Sequence, residues 1–585
     1  MSFGFLGTMK KLCKISDIIN IQIERIFCAK WREVFMKVVI VGGVAGGASL
    51  AARLRRLDES AQIIMFERGE YISFANCGLP YYIGGIITDR DELLLQTPES
   101  FNERFDVDVR INSEVISIDR AAKTVQVKSG GKTYTESYDT LALSPGSSPI
   151  VPTMDGVDSD KVMKLWTIPD MDKIAAAAKG AKSAVVIGGG FIGIEMAENL
   201  THAGLSVTLV DMMDQVMSNL DFDMAQILHK HMVKNGVKLA LSQGVKSFRE
   251  TNDGITVVTD KSEYSADFAI LAIGVRPNGE LARDCGLDVN ARGGVVVDES
   301  LKTSDENIYA VGDVVETTNF ITGERCMVPL AGPANKMGRM AADNICGKQR
   351  VYKGTKGSSV AKVFDMTAAS TGLNEMQLMD MGKNINDDYK VTVLHPLNHA
   401  GYYPGGTTLC LKMIFDLEGK VLGAQAVGYE GVDKRIDVIA TALRFGATTD
   451  DLQEIELCYA PPYSSGKDPV NMAGFTAENI LKGVVGNIIY RELKDLPSDT
   501  VLLDVRTPEE LNWGAIEGNI NIPVDELRAR IGELDKNKDY VVYCAVGIRA
   551  YIASRILTSN GFKNVRNLSG GYVTYRVASK DYTIG

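Results

Sequence analysis

Apolar residues along this chain fall into short runs with two different rhythms. Val38-Val39-Ile40-Val41 and Ala184-Val185-Val186-Ile187 are unbroken, the pattern of a strand buried on both faces. Each leads into a cluster of glycines, a helix-patterned stretch, and a second apolar run, Ile63-Ile64-Met65-Phe66 or Val207-Thr208-Leu209-Val210. These second runs end on acids, Glu67 and Asp211. Strand, glycine turn, helix and acid-tipped strand, found twice, predict a duplicated α/β design of the dinucleotide-binding kind. The first unit is expected over residues 36–150 and 275–350, the second over 151–274. Between 351 and 480 the runs VTVLHP, TTLCLKMIFD and GKVLGAQAVG alternate instead, which predicts an α+β unit. From 485 to 585, Val501-Leu502-Leu503 and Tyr540-Val541-Val542-Tyr543 with helical stretches between them predict a further small α/β domain.

Composition narrows the class. The chain has 585 residues, 45% hydrophobic and 23% charged, as in globular proteins generally, and is too long for one core. Its 63 basic and 74 acidic residues leave a net charge of −11, which disfavours nucleic acid or an anionic membrane as a partner. A membrane-spanning helix needs about 20 apolar residues and no such run exists. Residues 1–35 mix charges with isolated apolar side chains and read as a disordered leader whose deletion should leave activity unchanged. Nine scattered cysteines, an odd number, suit a reducing, cytoplasmic setting. Five histidines, with neither a Cys-x-x-Cys pair nor an H-E-x-x-H motif, leave no material for a metal site.

Gly188-Gly189-Gly190-Phe191-Ile192-Gly193 is a complete G-x-G-x-x-G between strand and helix, so Gly188, Gly190 and Gly193 are expected to cradle a pyrophosphate. Asp211 suits a free ribose and repels a 2′-phosphate, which points to NADH rather than NADPH. The first loop, Gly42-Gly43-Val44-Ala45-Gly46-Gly47, departs from the motif because Val44 stands at its middle glycine, but Glu67 is correctly spaced for a ribose. Cys77 lies in a polar, Gly/Pro-punctuated run, Ser73-Phe74-Ala75-Asn76-Cys77-Gly78-Leu79-Pro80-Tyr81-Tyr82, better suited to a redox thiol than to core packing. Cys544 ends a strand and opens a loop to a helix, where loop N–H groups and Arg549 can stabilise a thiolate.

Leu143-Ser144-Pro145-Gly146, Ile273-Gly274-Val275-Arg276-Pro277 and the stretch Thr303 to Asp313, expected as a strand ending in Gly-Asp, resemble the turns of two-dinucleotide flavoprotein reductases. That resemblance implies FAD on Gly42, Gly43, Ala45, Gly46, Gly47, Glu67, Gly146 and Asp313. It also implies NADH on the second unit, with Phe191 covering the flavin; helix packing is the alternative role for Phe191. The fifth residue after Cys77 is Tyr82, so the Cys-x4-Cys pair of glutathione-type reductases is absent. The chain resembles the single-cysteine branch of the pyridine nucleotide-disulfide oxidoreductases. Ala45 replaces the histidine of its oxidases and peroxidases, and the Ser73–Tyr82 run is similar to that of its coenzyme A disulfide reductases.

In that group the resemblance implies a coenzyme A thiol or persulfide reacting at Cys77, with Ser73 and Asn76 near the pantetheine. Arg53 and Arg56 are then candidates for the phosphates, against a solvated helix face as the alternative. Tyr402 and Tyr459 would come from the partner of a homodimer whose subunits share active sites; Tyr403, Tyr463 and simple aromatic packing are the competing readings. The segments around Asp504, Gly518, Cys544 and Gly570 resemble a rhodanese sulfurtransferase domain, with Ala515 where a histidine is common. Together these imply an NADH-dependent reductase of coenzyme A persulfide or polysulfide that releases sulfide. A plain coenzyme A disulfide reductase and a redox-sensing sulfur carrier are the alternatives.

Overall fold

The computed structural model describes residues 35–584; the leader expected over 1–35 lies, but for Phe35, outside them. Strand β1 (Lys37–Val41) is followed by helix α1 (Ala45–Arg55) and strand β2 (Gln62–Phe66). β1 is central in a five-stranded parallel sheet, flanked by Thr140–Leu143 and β2, with Ile308–Ala310 and Asp108–Arg110 at the edges. Its unbroken apolar run is explained by this position, since Val38, Val39 and Ile40 are fully buried in one core with Leu50 and Leu54 of α1 and with Val115, Val125 and Val127 of a three-stranded antiparallel sheet. After β2 come a single 3-10 turn, Asn76–Gly78, and the short helix α2 (Leu79–Ile83). The stretch from Thr303 to Asp313 holds less strand than expected. Only Ile308–Ala310 pairs, because the Thr303 N–H and hydroxyl both donate to the Ile308 carbonyl and fold the preceding residues into a turn.

The second unit repeats the plan with β3 (Ser183–Ile187), α3 (Phe191–His202) and β4 (Ser206–Val210). β3 is again central among five parallel strands. The α+β unit is a five-stranded antiparallel sheet that includes β5 (Tyr389–Leu394), Leu409–Asp416 and Val421–Gly428, the three alternating runs. The last unit is a parallel five-stranded sheet around β6 (Tyr540–Tyr543), with helices α4 (Ile548–Ser559) and α5 (Gly571–Ala578).

This last domain is fastened to the rest by polar contacts as well as packing. The Val393 N–H of β5 donates to Ser569 Oγ at 2.8 Å, and His395 pairs with the Thr574 hydroxyl at 2.7 Å. Arg491 reaches Glu375 at 2.6 Å, and Glu375 also holds the buried Lys412, which meets Asp221 and Asp223 of the second unit. One buried node thus joins three domains, and burial pushes Asp221 up to about 6. At the C-terminus, Ile584 donates its N–H to Leu239 O at 2.7 Å and Thr583 pairs with the edge of the second sheet. Among the described residues no helix is long and apolar enough to cross a membrane.

Candidate functional site

The two glycine loops are geometric copies. Gly42 and Gly188 adopt φ of 100° and 106°, and a Cβ on either would strike the carbonyl oxygen of Ser144 or Ala272. Gly43 N–H donates to Glu67 at 2.9 Å, and Gly189 N–H donates to Asp211 at 2.5 Å. The other oxygen of each carboxylate accepts from the backbone two residues on, Gly69 at 2.8 Å and Met213 at 2.7 Å. Each acid is therefore fixed at its strand end with lone pairs left for ribose hydroxyls. Gly190 has open space where its side chain would be, and α1 and α3 aim their first N–H groups at the loops. The residues fit two dinucleotides, and Val44 at the middle position of the first loop does not disturb the copy.

Asp313 lies in the 3-10 turn Gly312–Val314. It accepts from the Ser147 hydroxyl at 3.0 Å, and burial pushes its carboxyl up. Gly146 makes the left-handed turn that brings Ser147 there. Phe191 is the first residue of α3, half-buried against the cluster that contains Leu79 and Ile83 of α2. The Cys77 run is tied to the first loop by Ser73, which takes a left-handed φ of 43° and donates its N–H to Gly43 O at 2.9 Å.

Cys77 is exposed in the 3-10 turn, with Asn76 before it. Its thiol is pushed up by partial desolvation, then by the charges of Glu195 from the second unit and Asp313 from the first. Glu195, one turn beyond Phe191 on α3, was not singled out from the sequence. Burial and neighbouring Glu198 raise it to about 7, so its carboxyl gains and loses its proton near neutrality. The available signal was a pair of carboxylates, Glu195 and Glu198, following the run Phe191-Ile192-Gly193-Ile194 that opens the helix. Tyr81 on α2 is pushed up to about 12 by burial and by the same acids.

The arginines of α1 divide. Arg53 is held by Asp343, its Nε and Nη2 donating at 3.0 and 2.7 Å, whereas Arg56 is exposed beside the Phe105 ring. Tyr402 and Tyr459, distant in sequence, share a hydrogen bond of 2.9 Å between hydroxyls at the surface of the antiparallel domain, 76% and 52% exposed. Tyr403 instead packs its ring against His399. A fully buried Arg435, also absent from the sequence reading, holds both tyrosine segments by donating to Asn398 O, Ser464 Oγ and Asp468. In the same domain a groove of about 780 Å³ is lined by Val438, Phe445 and Leu457, the last of these two positions before Tyr459 in the chain, and Phe445 is 83% exposed.

In the last domain Cys544 is buried directly after β6, and its sulfur accepts from Gly547 N–H at 3.1 Å. Arg549 lies close enough to feel the thiol, but both of its terminal nitrogens donate to Glu510 at 2.6 Å. That pairing holds Glu510 down at about 2. Among the described residues no cluster of His, Cys, Asp or Glu could hold a metal ion.

Comparison with known proteins matches residues 36–338 to the pyridine nucleotide-disulphide oxidoreductase family. Residues 358–468 match its dimerisation domain and 490–578 the rhodanese-like domain. A coenzyme A disulfide reductase of Staphylococcus haemolyticus is 37% identical over 452 residues, 76% of this chain and 100% of that protein. The crystal structure of reduced CoADR-RHD from Bacillus anthracis superposes with a TM-score of 0.91 at 48% identity, covering 94% of this chain and 99% of that one. An NAD-dependent persulfide reductase from A. fulgidus superposes with a TM-score of 0.87 at 38% identity, over 92% of this chain and 100% of that one. With two matching cradles, a lone thiol that feels Glu195 and Asp313, and this coverage, the chain belongs to the pyridine nucleotide-disulphide oxidoreductase family and carries a C-terminal rhodanese domain.

Proposed function

We propose that this protein reduces coenzyme A persulfide and related polysulfides with electrons from NADH, through FAD and Cys77, while Cys544 loads or passes on the sulfur. The carrying observation is the pair of thiols in unlike settings, one exposed beside acids of both nucleotide units and one buried in a sulfurtransferase loop. Gly42, Gly43, Ala45, Gly46, Gly47, Glu67, Gly146 and Asp313 would hold FAD; Gly188, Gly190, Gly193 and Asp211 would hold NADH, beside Phe191. FAD held there would supply the means of passing an electron pair from NADH to sulfur.

The chain's own groups do the rest. The Cys77 thiolate attacks the sulfur–sulfur bond of the substrate, and the departing thiolate takes a proton from the Tyr402–Tyr459 pair. Two electrons then return Cys77 to its thiolate and release the bound sulfur as sulfide or thiol. Ser73 and Asn76 would flank the pantetheine. Arg56, the exposed guanidinium, would meet the phosphates first, with Arg53 reaching them only by sharing Asp343.

We read the protein as a cytoplasmic homodimer in which the tyrosine pair serves the partner's Cys77. The exposed Phe445 groove of the same domain supports a second copy as its cover. A plain coenzyme A disulfide reductase is the second reading, favoured by the name of the Staphylococcus relative. Stopped-flow reoxidation of the NADH-reduced flavin decides between them. Coenzyme A persulfide is expected to reoxidise it faster than coenzyme A disulfide; the reverse order would establish the second reading. Light scattering checks the dimer, and comparison of NADPH with NADH checks the role of Asp211.

A further inference from the structure

The sulfurtransferase loop offers little free charge to its thiol. Between Cys544 and Arg549 its side chains are those of Ala545, Val546 and Ile548, with Gly547 supplying the N–H to sulfur. Its one guanidinium, Arg549, is neutralised by the two-point pairing with Glu510. Arg506, held nearby through Tyr572, is fully buried and spent on Asp504 at 2.6 Å. Two cations and two carboxylates thus cancel beside a thiol that is itself buried.

The rim is apolar. Ile548 is 57% exposed, with Ile552 one turn further along α4. Trp513, 65% exposed, is drawn in through Tyr572, whose hydroxyl donates to the Trp513 carbonyl and whose N–H donates to Cys544 O.

A dianion brought to this buried sulfur would lose hydration with no net positive charge to replace it. A thiol persulfide carries at most one charge on its reacting sulfur group, at the end of an organic arm that can lie along the apolar rim and leave any phosphates outside the buried loop. We propose that Ala545, Val546 and Ile548, together with the Glu510–Arg549 pair, select thiol persulfides and exclude thiosulfate as the sulfur donor to Cys544. The transfer balances as Cys544–S⁻ + R–S–S⁻ → Cys544–S–S⁻ + R–S⁻. One sulfur–sulfur bond breaks, another forms, and no outside oxidant or reductant is needed. This rests on the reading of the last domain as a sulfur acceptor but is independent of NADH chemistry.

The test uses the full-length FAD-loaded enzyme without NADH, incubated with equal concentrations of thiosulfate or coenzyme A persulfide. After alkylation and digestion, peptide mass spectrometry reads the added sulfur on the Cys544 peptide. Loading from persulfide is expected to be at least about tenfold faster, and Val546→Arg should raise thiosulfate loading by about tenfold. Equal loading of the wild-type enzyme, or loading by neither donor, would overturn the proposal whatever the variant does. So would a folded Val546→Arg protein, and a folded Ala545→Lys protein, with thiosulfate loading unchanged. A failure of the reductase reading appears separately, as absent NADH oxidation in the untreated enzyme.

Discussion

Cys77 and Cys544 are both free thiols at the start of a helical segment, yet the chain treats them oppositely. Cys77 is exposed at its turn, yet partial desolvation of the thiol, and after it the acids Glu195 and Asp313, hold its proton on until a substrate or an electron carrier changes the balance. Cys544 is buried and receives an N–H from its own loop, while the nearby arginine is shielded by Glu510. The first setting suits a thiol that is formed and consumed in each redox cycle. The second suits one that keeps a sulfur atom away from water and anions. Reactivity follows from what each loop presents to the sulfur, more than from exposure alone.

The sharpest way to break this contrast is to remove each sulfur in turn. Cys77→Ser is expected to lower NADH-dependent persulfide reduction by about three orders of magnitude or more. Cys544→Ser should abolish sulfur loading on its domain and lower reduction by a far smaller factor. Steady-state NADH oxidation and the peptide assay read the two quantities, and near-equal losses in the first would merge the two roles.

Next in size, Tyr402→Phe or Tyr459→Phe should cost roughly 10²-fold in reduction by removing a proton donor, with sulfur loading on Cys544 unaffected. The pH profile of kcat should change with it, which simple loss of packing would not do.

Glu510→Gln should destabilise the rhodanese domain by roughly 1–3 kcal/mol, read by urea unfolding, because Arg549 loses its charged acceptor. Glu510 is depressed from its usual 4.5 to about 2 when folded, so its contribution is present above pH 4.5. It is expected to fade as pH falls through about 2, and the variant should lose that acid dependence.

The smallest effect belongs to Glu195. Its charge raises the Cys77 pKa, so Glu195→Gln should move the pH profile of Cys77 alkylation to lower pH. An unmoved profile would remove Glu195 from the surroundings of the thiol.

Much of this architecture is legible along the chain because its cues are local. Unbroken apolar runs named β1 and β3, and the glycines before α3 with the acid at the end of β4 named the second cradle. The first cradle was harder to read, since Val44 breaks the motif, yet the Gly43–Glu67 bond duplicates the Gly189–Asp211 bond. What escaped the sequence is long-range pairing. Glu510 lies 39 positions from Arg549, and Asp343 lies 290 from Arg53. No local pattern announces that a cation counted as available is already bound. Arg435 escaped for a related reason: an arginine in an amphipathic helix, Val432–Arg444, reads as surface until both tyrosine segments close over it.

The last residues carry a consequence for handling the protein. Thr583 and Ile584 bond to Leu239, closing a loop that spans 344 positions, while Arg491 and Ser569 pin the same domain at two other points. A protease cut in the connection near Gly483 would therefore leave two fragments travelling together through gel filtration. An affinity tag at the C-terminus would instead extend from the segment whose bridge at Thr583 closes the loop, so tag removal, rather than linker length, would govern how firmly that domain stays seated.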